Sequence, residues 1–244
     1  MKKLLLSLAI AASLFGADKL LSQKQTIEIL KTTPIYSQIQ PLLKKGKIKA
    51  KATEKEDFYI IELQAPRGNI NIFVTKDKKY TILGRVIDNK TKKLIQPDFP
   101  KNAEVIKKGV MFTFGKGNKD LYLVTDPECP FCRMMEKQKS NFLEKNYKVH
   151  VILMPLPFHK NAKAMSYYIL AGKTDAERAK RMREVLRGSN EWKKYNPTPK
   201  EKAEFEKELQ NAQKAANELQ ARGTPSVYDE NFKPIEWPTL GVKK

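Results

Sequence analysis

Apolar and polar residues in the first third of the chain form a pattern that predicts one helix followed by short strands. Residues 24–30 carry apolar side chains at helical spacing, and Pro34 ends this pattern. Three runs of strand type follow, separated by turn signals, at residues 58–63, 69–74 and 80–86. We therefore expect a small α+β module with an antiparallel sheet over residues 18–95.

The pattern then breaks at a stretch typical of a connector. Pro97 and Pro100 open this stretch, and a Gly-Lys-Gly-Asn run closes it at Asn118. Between them, residues 102–108 have the composition of a short helix. We predict a linker with a helical segment over residues 96–118.

After the connector the pattern becomes that of an α/β domain. It begins with a strand whose residues are all of buried type, and continues through helices to a terminal hairpin. The strands are predicted at residues 121–125, 149–154, 226–228 and 232–235, and the helices at 133–145, 162–171, 175–186 and 200–221. We place this domain at residues 119–244.

The N-terminus predicts an export signal rather than a membrane anchor. Two lysines precede an apolar run over residues 4–15, and small residues follow up to Ala17. A run of about a dozen apolar residues is too short to cross a bilayer, which takes roughly 20. We expect residues 1–17 to be removed and the remaining protein to be exported and soluble.

The chain is strongly basic, with 47 Lys+Arg against 27 Asp+Glu and a net charge of +20. Only 8 of the 47 are arginine, the side chain that recognises phosphate with two parallel hydrogen bonds. We interpret the lysines as scattered over a solvated surface, and we expect no binding to nucleic acid.

Cys129 and Cys132 are the two cysteines of the sequence, and only two residues separate them. A loop this short gives little stabilisation as a structural disulfide. A zinc site takes four ligands, and His150 and His159 are the only histidines available. His150 falls in a predicted buried strand as a core residue, and His159 in a loop as a cap or surface residue. We predict a reactive pair of thiols and no metal.

The residues around the pair explain how it would react. A thiolate attacks a disulfide, so the attacking cysteine needs a lowered pKa. Cys129 precedes a predicted helix whose first N–H groups favour an anion, and Pro130 suits the first helical turn. We predict Cys129 as the nucleophile and Cys132, in the same turn, as the resolving thiol. The acidic neighbours Asp126 and Glu128 are expected to be exposed.

A second motif, Gly223-Thr224-Pro225, lies near the predicted terminal hairpin. Together with the cysteine motif it resembles the thioredoxin superfamily. The resemblance implies that Pro225 is in the cis form opposite the cysteines, and that the backbone of Thr224 pairs with an extended substrate. It also implies that no metal or organic cofactor is needed. The substrate-binding residues expected on this basis are Thr224, Pro225, Pro130 and Phe131.

The run from Asp126 to Cys132, the threonine before the proline and the N-terminal module resemble the bacterial DsbC/DsbG group more narrowly. This implies a V-shaped periplasmic homodimer. Each chain would have a cystatin-like α+β dimerisation domain, a helical linker and an α/β thioredoxin-like catalytic domain with a helical insertion. The implied partners are misfolded or oxidised exported proteins and a membrane thiol-disulfide electron donor or acceptor.

Two positions depart from related proteins. Phe131 replaces the tyrosine of better-known members of the group, and Leu123 stands where cytoplasmic thioredoxins keep a buried acid. Three functions stay open: a disulfide isomerase or reductase, an oxidase resembling the DsbA group, and a chaperone with secondary redox activity. A DsbA-like oxidase would usually have histidine in place of Phe131 and valine in place of Thr224. We therefore favour the isomerase or reductase.

Overall fold

A computed structural model describes residues 18–65, 68–92 and 94–242. The chain divides into a first unit that ends at Pro100 and a second unit that begins at Lys101. The expected export signal, residues 1–17, lies outside the described residues. Within the described part of the chain, no helix is long and apolar enough to cross a membrane.

The first unit is a five-stranded antiparallel sheet with two helices. Its strands follow one another in the sheet in chain order, β1-β2-β3-β4-β5. The elements are β1 (Lys19–Leu20), α1 (Gln23–Leu30), α2 (Tyr36–Lys44), β2 (Lys49–Glu54), β3 (Phe58–Ala65), β4 (Gly68–Thr75) and β5 (Thr81–Leu83). This agrees with the expected α+β class, although the last strand is shorter than the predicted 80–86.

The core of this unit forms where α1 meets one face of the sheet. Ser22 caps α1 by a reciprocal pair of hydrogen bonds with Gln25, which fixes the start of the helix. Leu30 then packs with Ile61 and Ile72, and all three side chains are fully buried. Burial of each such side chain stabilises the fold by about 1.5–3 kcal/mol.

The second unit contains a sheet of order β10-β9-β7-β8-β6 with helices around it. Strands β7 and β8 are parallel and the other pairs are antiparallel. Its elements are α3 (Ala103–Lys108), β6 (Phe112–Phe114), β7 (Lys119–Thr125), α4 (Pro130–Asn146), β8 (Tyr147–Leu153), α5 (Ala162–Leu170), α6 (Asp175–Leu186), α7 (Pro199–Glu218), β9 (Ser226–Tyr228) and β10 (Pro234–Ile235).

Strand β7 is the central strand that leads into the cysteine motif. Every residue from Leu121 to Thr125 is buried, as expected for a parallel strand covered on both faces. The chain crosses through α4 and returns as β8, so the two parallel strands end at the same edge of the sheet. The site begins at this edge.

Part of the predicted linker belongs to the second unit, which corrects the boundary at residue 118. Strand β6 pairs with β8 at the edge of the sheet, and α3 packs on α7. Gly109 ends α3 so close to α7 that an added Cβ would lie 2.3 Å from the Cβ of Ala215. The short β6 was missed because three residues between glycines give a weak periodic signal.

Candidate active site

Cys129 is the N-cap residue of α4, directly after the turn that follows β7. Its backbone is extended, with φ −64° and ψ 125°, and Pro130 is the first residue of the helix. The proline lacks an N–H, which at this position would have no partner within the helix. The backbone N–H groups of Phe131 and Cys132, in the first turn, interact with the Cys129 sulfur.

The Gly223-Thr224-Pro225 motif lies beside the cysteine motif. The Thr224–Pro225 peptide bond is cis, as the resemblance implied. The Cys129 Sγ lies 3.2 Å from the carbonyl oxygen of Thr224, to which the protonated thiol donates a hydrogen bond. Strand β9 begins at Ser226 and pairs antiparallel with β7, which brings the two motifs together.

The two thiols differ in acidity. The pKa of Cys129 is lowered to about 5, chiefly because the Cys132 thiol donates a hydrogen bond to its sulfur. Burial opposes this effect, while the Thr224 side chain and then the N–H groups of Cys132 and Phe131 add to it. The pKa of Cys132 is raised because burial disfavours its thiolate, as does the neighbouring Cys129. Cys129 is therefore the thiolate of the pair at neutral pH.

Asp126 is fully buried, which corrects the expectation that it is exposed. Its carboxylate accepts hydrogen bonds from the Glu128 N–H at 2.7 Å and the Leu156 N–H at 2.6 Å. A third comes from His159 Nδ1 at 2.9 Å. The backbone N–H of Asp126 donates to Cys132 Sγ at 3.5 Å. Asp126 therefore ties the cysteine turn to the loop that follows β8.

Glu128 makes a second connection between the same two loops. Its carboxylate accepts hydrogen bonds from the Asn161 backbone N–H at 2.6 Å and from Asn161 Nδ2 at 2.9 Å. Burial raises the pKa of Glu128, but these two hydrogen bonds outweigh it and hold the pKa below its usual range. Glu128 is thus partly buried and bonded, rather than simply exposed.

Two histidine–aspartate pairs lie near opposite ends of β7. At the start of the strand, His150 Nε2 contacts Asp120 at 2.8 Å and its Nδ1 contacts Thr113 Oγ1 at 3.0 Å. His150 thus has a polar contact at each ring nitrogen, as expected, but it is partly buried rather than a core residue. His159, expected as a cap or surface residue, instead bonds the buried Asp126 next to the thiols.

Aromatic and apolar side chains are exposed around this region. Phe131, between the two cysteines, is 58% exposed, and Pro130 beside it is also exposed. Met134 on α4 and Phe158 in the loop after β8 are exposed as well, and the sequence interpretation did not single them out as binding residues. Phe158 packs edge-on against the ring of His159.

Both cysteines are free thiols in this structure. Among the described residues, no group of three His, Cys, Asp or Glu side chains is arranged to hold a metal ion.

Comparison with known families decides the identity of the second unit. The family model described as a thioredoxin-like domain matches residues 113–231. Residues 113–231 form a thioredoxin-like domain. This confirms the resemblance to the thioredoxin superfamily. The match begins within β6, so the thioredoxin-like domain includes part of the predicted linker.

Several solved structures are similar to this chain. Helicobacter pylori DsbG has 14% identity and a TM-score of 0.38, over 78% of this chain and 98% of its own. The thiol-disulfide exchange protein alpha-DsbA2 from Wolbachia pipientis has 13% identity and a TM-score of 0.43, over 56% and 89%. Proteus mirabilis ScsC has 18% identity and a TM-score of 0.38, over 56% and 72%. No curated protein matches the sequence.

Proposed function

We propose that this protein is a periplasmic thiol-disulfide oxidoreductase that isomerises or reduces disulfides of exported proteins. The observation that carries the proposal is the position of Cys129. Its sulfur lies at a helix N-terminus, 3.2 Å from the carbonyl of Thr224 before a cis proline, with the Cys132 thiol bonded to it. The helix N-terminus and the Cys132 thiol favour a Cys129 thiolate, which can attack a substrate disulfide and leave again when the mixed disulfide is attacked.

The reaction begins when the Cys129 thiolate attacks one sulfur of a substrate disulfide. A new S–S bond forms between Cys129 and the substrate, and the second substrate sulfur leaves as a thiolate that takes a proton. If a different substrate thiolate then attacks the substrate sulfur of the mixed disulfide, a new substrate disulfide forms and Cys129 leaves as a thiolate, so the substrate is isomerised. Attack by the first thiolate would only restore the original disulfide. No net electrons are transferred on this route.

Reduction follows if Cys132 reacts first. Its thiol loses a proton and attacks the Cys129 sulfur, which forms the Cys129–Cys132 disulfide and releases the substrate as a thiol. Two electrons have then passed to the substrate. A membrane thiol-disulfide donor would restore the two thiols for the next cycle.

The substrate would lie against the exposed surface around Cys129. The backbone of Thr224, held by cis Pro225, would pair with an extended substrate segment. Pro130 and Phe131 would contact its side chains, since both are exposed at the start of α4. The wide exposure of Phe131 supports a contact with apolar residues near the substrate cysteine.

We also propose that the first unit dimerises. Its last strand β5 has three residues and pairs with only part of β4, which leaves a sheet edge. Ile70 and Leu83 are exposed on these two strands, at 57% and 60%. Exposed apolar side chains at a strand edge are typical of a surface that pairs with another chain.

The test of the proposal is recovery of activity from scrambled ribonuclease in a mildly reducing buffer. We expect efficient recovery by the protein, loss in Cys129→Ala, and a trapped mixed disulfide in Cys132→Ala. Sedimentation should give the mass of a dimer. A Cys129→Ala variant that recovers ribonuclease as well as the native protein would overturn the proposal.

An oxidase is the second candidate, favoured by the low pKa of Cys129. A well-stabilised thiolate favours the reduced pair and so makes the disulfide a stronger oxidant. Rapid oxidation of reduced ribonuclease by the disulfide form, without recovery of the scrambled form, would establish this candidate instead. A chaperone would show full suppression of aggregation by Cys129→Ala without any exchange.

A further inference from the structure

A groove in the first unit lies between the two helices and strand β2. Its volume is about 550 Å³. Helix α1 contributes Ile27 to its wall, helix α2 contributes Tyr36 and Leu43, and Ile48 closes it beside β2. All four side chains are only partly buried. The groove is therefore a concave apolar surface that a side chain could enter.

One wall of the groove is a strand edge. Strand β2 pairs with β3 along its whole length, but on the other side β1 pairs only with Thr53 and Glu54. The Leu21 N–H donates to the Ala52 carbonyl on that side. Because backbone groups alternate along a strand, Ala50 presents its N–H and carbonyl to the same edge. Ala50 lines the groove, so an added strand could hydrogen-bond there.

A cluster of positive charge surrounds this edge. Five lysines occur within eight residues, all with exposed side chains: Lys44, Lys45, Lys47, Lys49 and Lys51. The sequence has no Asp or Glu between Glu28 and Glu54. None of the five forms an ion pair with any residue that the structure describes. The expectation that the lysines are scattered is therefore wrong for this segment.

We propose that this groove binds an extended peptide whose apolar side chains are flanked by Asp or Glu. The apolar wall of the groove would contact the apolar side chains of the peptide. The edge of β2 would hydrogen-bond to the peptide backbone, and the lysines would pair with its carboxylates. A bilayer surface fits less well, because a flat surface does not reach the backbone of Ala50 at the groove wall. The groove belongs to the first unit and the thiols to the second, and the inference does not depend on the proposed redox function.

The probe is a fluorescent peptide of sequence Asp-Glu-Val-Leu-Val-Leu-Glu-Asp, followed by anisotropy during titration with the purified protein. It carries no cysteine, so thiol exchange cannot contribute to its binding. A peptide with lysine at the four acidic positions should bind at least about tenfold more weakly, because it meets like charge. N-methylation of the central residues should also weaken binding, because it removes the backbone N–H donors. Added salt should weaken the binding of the acidic peptide, because it screens the attraction between the lysines and the carboxylates.

The protein variant for this test is Lys44→Glu with Lys49→Glu, which should weaken binding of the acidic peptide by at least about tenfold. Its control is Lys207→Glu with Lys214→Glu on α7, which makes the same change in net charge at exposed positions of the second unit. The control should bind like the native protein. Equal binding by both variants would overturn the proposal, as would equal binding of the acidic and lysine peptides.

Two further results would replace the peptide with another occupant. Lysine-dependent binding to phosphatidylglycerol vesicles, with no binding of the peptide, would assign the surface to a membrane. A dimer mass that falls to the monomer value in Lys44→Glu/Lys49→Glu, again without peptide binding, would assign the groove to a second copy of this chain.

Discussion

The two units place their polar chemistry in opposite surroundings. In the second unit, Cys129 and Cys132 are 4% and 2% exposed, and Asp126 is fully buried. In the first unit, the charged groups of the lysine cluster are exposed and without ion-pair partners among the described residues. Burial makes a group sensitive to each neighbouring donor and charge, because water no longer screens it. Exposed charge acts more weakly, because water and salt screen it.

The difference teaches where a single substitution should act. In the second unit it should change the pKa values, the exchange rate and the stability together. In the first unit it should change binding and leave the exchange rate as it is. Within the second unit, we expect the largest effect at the nucleophile and smaller effects at the residues that hold the cysteine turn in place.

Cys129→Ser should lower the rate of thiol-disulfide exchange by at least about a thousandfold, since it removes the attacking thiolate. Cys132→Ser is the matched control, because it removes the buried thiol and keeps the nucleophile. It should accumulate a mixed disulfide, visible on a non-reducing gel. The assignment of roles would be reversed if the mixed disulfide formed in Cys129→Ser and not in Cys132→Ser.

The reactivity of Cys129 should fall only as the pH drops through about 5, the value to which its pKa is lowered. The folded pKa lies below that of an unfolded thiol, about 8.5. The thiolate therefore stabilises the reduced protein fully above the unfolded value, and this stabilisation is lost as the pH falls through the folded value.

Absorbance at 240 nm and iodoacetamide alkylation would measure the pKa, and urea unfolding of the reduced protein would measure the stability. Cys129→Ser is the control, whose stability should vary less between pH 5 and 9. An alkylation midpoint near that of a free thiol would contradict the prediction.

Asp126→Asn should destabilise the protein by about 1–3 kcal/mol, because the amide cannot accept from all the donors that surround the buried carboxylate. Asp120→Asn is the matched control at the start of the same strand, where the side chain is 47% exposed. Asp120→Asn should lower the free energy of unfolding by less than about 1 kcal/mol. Urea unfolding of both variants under reducing conditions provides the comparison. Equal losses would show that the burial of Asp126 has no special importance.

His159→Gln should lower the exchange rate by several-fold and shift the pH profile of Cys129 alkylation. The reason is that His159 helps to hold Asp126, whose N–H donates to Cys132 Sγ. His159 would thus act as a positioning residue. His150→Gln, near the opposite end of β7, should leave both quantities unchanged. Similar pH profiles in the two variants would contradict this role.

Much of the second unit could be predicted from the sequence, because its signals are local. Helix α6 and strand β9 were predicted with the bounds that the structure has, residues 175–186 and 226–228. The cis proline followed from a motif that resembles a known family. Each of these depends on a short run of residues, which one sequence displays directly.

The features that were missed depend on contacts between distant segments. Two of the three hydrogen bonds to the Asp126 carboxylate come from Leu156 and His159, about thirty positions later in the chain. Nothing in the residues around Asp126 reveals them. Strand β2 was missed for another reason, since it alternates lysine with alanine and so has little apolar signal. Helix α2 contains Pro41, which reads as a helix breaker in a sequence.

The unequal thiols at the start of α4 have a consequence for damage by peroxides. Oxidants react with thiolates, so they should reach Cys129 first and convert it to a sulfenic acid. The Cys132 thiol, one helical turn away, can condense with it and release water, which leaves a disulfide. That disulfide is an intermediate of the proposed cycle, and reduction returns it to the two thiols. Oxidation of Cys129 would therefore end in a disulfide that can be reduced, and the sulfur would not be oxidised further to the irreversible sulfonic acid.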